Sequence, residues 1–228
     1  MSNKALYFSE RVLSFLYQLE VPQGLPPDIQ TLNPYPEEEV RRVTSLFYNK
    51  FYHDRKNRKL ILGINPGRFG AGVTGIPFTD PVRLQDQCQI NNHFDKRGEL
   101  SSEFVYRLIE KMGGAEHFYT HFYIGAVSPL GFTKNGKNYN YYDSIDLKRT
   151  LKPYIIESLI GQISFGLDTH TCFCMGQGKN FEYLTMLNTE MRLFKKIVAL
   201  PHPRWVMQYR RKELDFWLNE TIQLLIKS

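Results

Sequence analysis

A chain of 228 residues can bury a sizeable core in one domain, and its 42% hydrophobic and 23% charged residues are the balance of an ordinary globular protein. No apolar run approaches the length of a membrane span, and residues 1–16 lack the basic start and apolar stretch of a secretory signal. A formal net charge of +6 suits a polyanionic partner without requiring one, while three cysteines with no C-x-x-C exclude a four-cysteine iron–sulfur cluster and point to a reducing, cytoplasmic home.

Residues 4–20 place Ala5, Phe8, Val12, Leu16 and Leu19 at helical spacing, so an amphipathic helix is expected there. The proline-rich stretch 21–36 reads as irregular. A second helix starts at Glu37-Glu38-Glu39, whose carboxylates suit a helix N-terminus, and runs to about Tyr52. The basic run 55–59 is a turn that could also meet DNA phosphates. Residues 1–55 are therefore expected as a helical extension packed on one domain spanning 1–228. Further on, helices are expected at 81–90, at 101–112, at 144–165 with an interruption near Pro153, at 178–187 and at 206–226. Strands are expected at 60–64, 122–127, 171–175 and 193–200, with Cys172 and Cys174 facing the core of the third. Strands alternating with helices predict an α/β fold with a parallel sheet covered on both faces.

The stretch LILGINPGRFGAGVTGIPFTD, residues 60–80, organises the rest. Its apolar run reads as a buried strand. The glycines and prolines that follow make a tight loop at the strand's carboxyl end, where open α/β sheets bind ligands. No P-loop is present, and Gly70-Ala71-Gly72-Val73-Thr74-Gly75 fits G-x-G-x-x-G too far beyond the strand to be a dinucleotide fingerprint. As a pattern alone, an ordinary glycine-rich βα turn fits equally well.

The run GINPGRFGAGVTGIPF resembles the first motif of the uracil-DNA glycosylase superfamily, and most closely the SMUG-type branch, whose motif runs GMNPGPFGMAQTGVPFG. His202-Pro203, after the last strand, resembles its second motif. The chain is similar to a divergent, Bacteroidetes-type subgroup of that branch. The resemblance implies a three-layer α/β/α sandwich with a four-stranded parallel sheet. It also implies a monofunctional glycosylase that hydrolyses the bond between sugar and deaminated base in DNA, without metal or cofactor. The implied substrates are uracil and, with a roomier pocket, 5-substituted uracil or xanthine.

By the same resemblance, Asn65 positions the attacking water and His202 stabilises the departing base. Phe78, thirteen residues after Asn65, stacks on the flipped base. Ile64 and Gly67 line the pocket, Gly67 standing where other uracil-DNA glycosylases carry a bulky tyrosine. Phe69 is a second aromatic near the base. Without the motif, Asn65 reads as a turn residue, Phe78 as core and His202 as a loop histidine.

Two departures stand out. The asparagine that reads the uracil edge in SMUG-type proteins falls on Ala126, leaving Ser128, Asn135, Asn138 or backbone groups to replace it. The segment after His202-Pro203 is also unlike the family's. Here Arg204, Trp205 and Met207 are candidates to fill the hole left by the flipped base, with Arg68, Tyr209, Arg210 and Arg211 on DNA phosphates. Ala126 keeps a second possibility open, a catalytically inactive nucleic-acid-binding module on the same fold. An unrelated α/β hydrolase is weaker, because G-x-S-x-G is absent. The expected partner is DNA, the expected state a monomer.

Overall fold

The computed structural model describes residues 6–227, so Ala5 lies outside the described residues. In chain order the elements are α1 (Phe8–Tyr17), β1 (Ile29–Leu32), α2 (Glu38–Tyr52), β2 (Arg58–Gly63), α3 (Ala71–Thr74), α4 (Pro81–Asp86), α5 (Leu100–Lys111), α6 (Ala115–His121), β3 (Phe122–Ala126), β4 (Gly131–Lys134), β5 (Lys137–Tyr139), α7 (Ile145–Ile163), β6 (Leu167–Met175), α8 (Lys179–Met191), β7 (Lys196–Leu200), α9 (Pro203–Tyr209) and α10 (Leu214–Lys227). The four expected strands β2, β3, β6 and β7 form one parallel sheet in the spatial order β3-β2-β6-β7. Leu60, Ile61 and Leu62 are all fully buried, as a strand covered on both faces requires. Helices α1, α2, α7 and α8 form one outer layer and α5, α9 and α10 the other. Cys172 and Cys174 are buried in β6 as expected. No helix among the described residues is long and apolar enough to cross a membrane.

Four expectations change. The stretch 21–36 holds β1, and the loop after β3 holds the β4–β5 hairpin. Together they make a second, antiparallel sheet in which Ile29 pairs with Lys134 and Leu32 with Gly131. Pro153 does not interrupt α7. It sits on the exposed face, where the carbonyl it leaves unbonded, that of Arg149, is free to meet water. The expected last helix divides into α9, a 3₁₀ turn over Arg211–Glu213, and α10. Residues 208–213 are all exposed, so nothing apolar holds that turn of helix against the core.

Arg58 is the fourth change. It is 1% exposed, so it is not a phosphate contact. Its guanidinium donates to both Asp54 oxygens at 2.9 and 2.8 Å, to Tyr119 O at 2.7 Å and to Lys56 O at 3.0 Å. It also lies on the rings of Phe8 and Tyr52. Buried charge of this kind is tolerated because each of the three nitrogens is hydrogen-bonded and a carboxylate pairs the charge. Arg58→Ala is expected to lower unfolding stability by about 3 kcal/mol, since it strands Tyr119 O and leaves a void beside the Phe8 and Tyr52 rings. A denaturant melt with an unchanged midpoint would contradict this.

Candidate active site

Asn65 stands two residues beyond β2, and its side-chain amide is fixed by three hydrogen bonds. Nδ2 donates to Tyr139 O at 3.3 Å and to Pro66 O at 3.4 Å, and Oδ1 accepts from Tyr141 N at 3.2 Å. Two carbonyls on one side and an N–H on the other leave the amide one orientation. The clamp is the far end of the β4–β5 hairpin, anchored where Tyr141 Oη donates to Asn180 Oδ1 of α8 at 2.7 Å. Asn65 Oδ1 keeps a lone pair for a water.

His202 follows β7 by two residues and opens α9, with Pro203 at the first helical position. It is half-buried. Burial first, and Arg204 second, push its imidazole below the ordinary 6.5. It is therefore neutral at pH 7 and presents one N–H donor.

Phe78 has φ of 51°, a conformation rare for a side chain of its size. Thr74 holds the turn, donating from Oγ1 to Thr79 O at 2.6 Å and accepting from Ile76 N at 3.2 Å. The Phe78 ring lies on the backbone of Gly63, where a Cβ would come within 2.9 Å of it. Only glycine at the end of β2 lets the ring sit there.

Asn65, His202 and Phe78 line one cavity of about 420 Å³, together with Ile64, Gly67 and Ala126. Other expected site residues lie elsewhere. Ser128 is fully buried, donates to Leu130 O at 2.8 Å and does not line the cavity. Phe69 is also outside it, held between the guanidiniums of Arg68 at 4.6 Å and Arg97 at 3.5 Å. Met207 is 2% exposed and packs inward, so it offers nothing to DNA. Arg211 is engaged with Glu103. Arg204 is at the cavity wall. Trp205 is partly exposed, edge-on to Trp217 and beneath Arg210, while Tyr209 is open to solvent.

Of the two loop amides expected as replacements, Asn138 lines the cavity, and Gln162 and Glu99 join it unmarked by any motif. Asn138 accepts from Arg68 N through Oδ1 at 3.0 Å and presses its Nδ2 against Gly67, whereas exposed Asn135 is remote from the cavity. Gln162, from α7, is 1% exposed. Its Nε2 donates to Ala126 O at 3.0 Å and Ser158 O at 3.2 Å, which fixes the amide. Its Oε1 has no partner among the described residues and overlies Gly125, where any Cβ would collide with it. An amide therefore lies beside Ala126 of β3 after all, reaching in from α7. Among the described residues Glu99 is the only carboxylate in the lining. No cluster of three His, Cys, Asp or Glu side chains among the described residues is placed to hold a metal.

Comparison with known proteins places the chain in a family. The profile described as Uracil DNA glycosylase superfamily matches residues 50–226. The crystal structure of Pedobacter heparinus SMUG2 is 43% identical, covers 98% of this chain and 100% of its own, and superposes with a TM-score of 0.94.

The chain belongs to the uracil-DNA glycosylase superfamily. Its place is in the SMUG-like branch, and it is a DNA glycosylase acting on deaminated bases. The three-layer sandwich implied by the motifs is the fold observed. Ala126 and Gly67, the two positions at which the sequence departs from the expected bulkier residues, both line the cavity.

Proposed function

We propose that this cavity holds a flipped deaminated base and hydrolyses its N-glycosidic bond in one monofunctional step. The observation that carries the reading is the convergence of Asn65, His202 and Phe78, from three separate segments, on one cavity. Phe78 stacks on the base, and the neutral His202 N–H bonds the base oxygen that gains negative charge as the bond breaks. Asn65 holds the water at the opposite side of the sugar carbon. Among the described residues no lysine lines the cavity, which favours hydrolysis over a lyase step through a Schiff base. Gly67 and Ala126 leave room for uracil, 5-substituted uracil or xanthine. Arg68, Arg204, Trp205, Tyr209 and Arg210 are proposed to meet DNA. The protein is proposed to act as a monomer in the cytoplasm.

The test uses end-labelled single- and double-stranded oligonucleotides, each with one uracil, hydroxymethyluracil, xanthine or hypoxanthine, incubated with the protein in chelator and then treated with alkali. Cleavage at one or more of these bases is expected. Tight binding with no cleavage at any of them would overturn the proposal in favour of an inactive binding module.

A further inference from the structure

Loss of a base leaves positive charge on the sugar ring, and addition of water there releases a proton. Neither Asn65 nor His202 meets these needs. An amide carries no charge and takes no proton, and the imidazole is committed to the leaving base.

Glu99 is placed to meet both. Its backbone N–H is held by Asp80 Oδ2 at 2.8 Å, and Asp80 is itself fully buried as the N-cap of α4. The chain is thus fixed at the point where the Glu99 side chain departs. The carboxylate lies on the loop that carries Asn65. A Cβ at Gly67 would be 3.4 Å from Oε1, and one at Gly70 would overlap Oε2. Among the described residues no side chain or backbone N–H bonds the carboxylate, and no cation pairs with it. It is the cavity's single carboxylate among those residues. Burial pushes it above the ordinary 4.5, Arg204 opposes that, and Asp80, paired with Arg83, adds to it. The other titratable or charged groups lining the same cavity are His202, Arg204, Tyr35, Tyr48, Tyr123 and Tyr142. A carboxylate shifted towards neutrality suits a general base better than an exposed one.

We propose that Glu99 is a catalytic residue, whose carboxylate faces the positive sugar and takes the proton of the water held by Asn65. This rests on the glycosylase reading of the cavity. The C1′–N bond breaks with its electron pair leaving on the base. The water oxygen bonds C1′ and its proton passes to Glu99. The base anion, hydrogen-bonded to His202, takes up a proton from solvent, and Glu99 returns its own to solvent. The sum is one water consumed, one free base and one abasic sugar.

The test compares wild type, Glu99→Gln and Glu99→Asp. Single-turnover cleavage is followed against pH. Affinity is measured for duplexes carrying a cationic pyrrolidine or a neutral tetrahydrofuran abasic analogue. Glu99→Gln is expected to slow cleavage about 10²-fold or more. Its acid limb should lose one proton step, because activity rises only as the carboxylate ionises. It should lose the preference for pyrrolidine while keeping tetrahydrofuran affinity and melting temperature, and Glu99→Asp should recover part of the rate. If wild type cleaves but Glu99→Gln keeps the acid limb and the pyrrolidine preference, the proposal is overturned and the glycosylase reading stands. Equal weakening of both analogues would also overturn it, showing a structural role. A wild type that cleaves none of the bases overturns both.

Discussion

Asn65→Ala is expected to slow single-turnover cleavage of the preferred base by about 10²-fold while leaving duplex affinity within about twofold. The amide's hydrogen-bond partners are backbone groups: Pro66 O in the cavity wall, and Tyr139 O and Tyr141 N beside it, where water from the cavity can replace the amide. What alanine removes is a fixed acceptor for the attacking water. Asn65→Asp is not a gentle alternative, because its second oxygen would face the carbonyls of Tyr139 and Pro66. The site is built for an amide, and a general base has to come from another position. Single-turnover gels and mobility shifts on the same oligonucleotides check the pair of expectations. Undiminished cleavage by the alanine variant would remove Asn65 from the mechanism.

His202→Ala is expected to have an equal or larger effect, about 10²–10³-fold on the rate, the usual consequence of deleting one donor aimed at developing negative charge. His202→Asn, which restores an N–H, should recover a measurable part. Burial and Arg204 hold the imidazole below 6.5, so the ring is neutral through the physiological range and charges only under more acidic conditions. The rate should therefore show no decline between pH 7 and 8 from this group. A fall with a midpoint near 7 in wild type, absent in His202→Asn, would mean that imidazolium is the working form.

The strand at β2, the loop after it and His202 were legible because their information is local. An apolar run, a cluster of Gly and Pro, and a His between two prolines each announce themselves within a few residues. The second sheet was not read, although Asn135-Gly136, both with positive φ, is the ordinary signal of a tight hairpin between Lys134 and Lys137. Its partner β1 was masked by the prolines around it. Gln162 and Glu99 lay beyond reach for a different reason, whereas Asn138, an expected replacement for the missing amide, does line the cavity. Each of the two arrives at the cavity from an element remote from the motifs, and no spacing rule connects residues 65, 99 and 162. Met207 and Ser128 show the converse. Proximity in sequence to a motif placed them at the site, but the side chains turn into the core.

The clamp on Asn65 bears on the order in which the chain folds. The hairpin that holds the amide is backed by β1, and Ile29 meets Lys134 across 134 − 29 = 105 intervening steps of chain. Contacts so distant in sequence carry a large loop-closure entropy and form slowly. The local helices and β2 have no such wait. Refolding should therefore restore helical circular dichroism before enzymatic competence, with the water-holding amide among the last groups to find its partners.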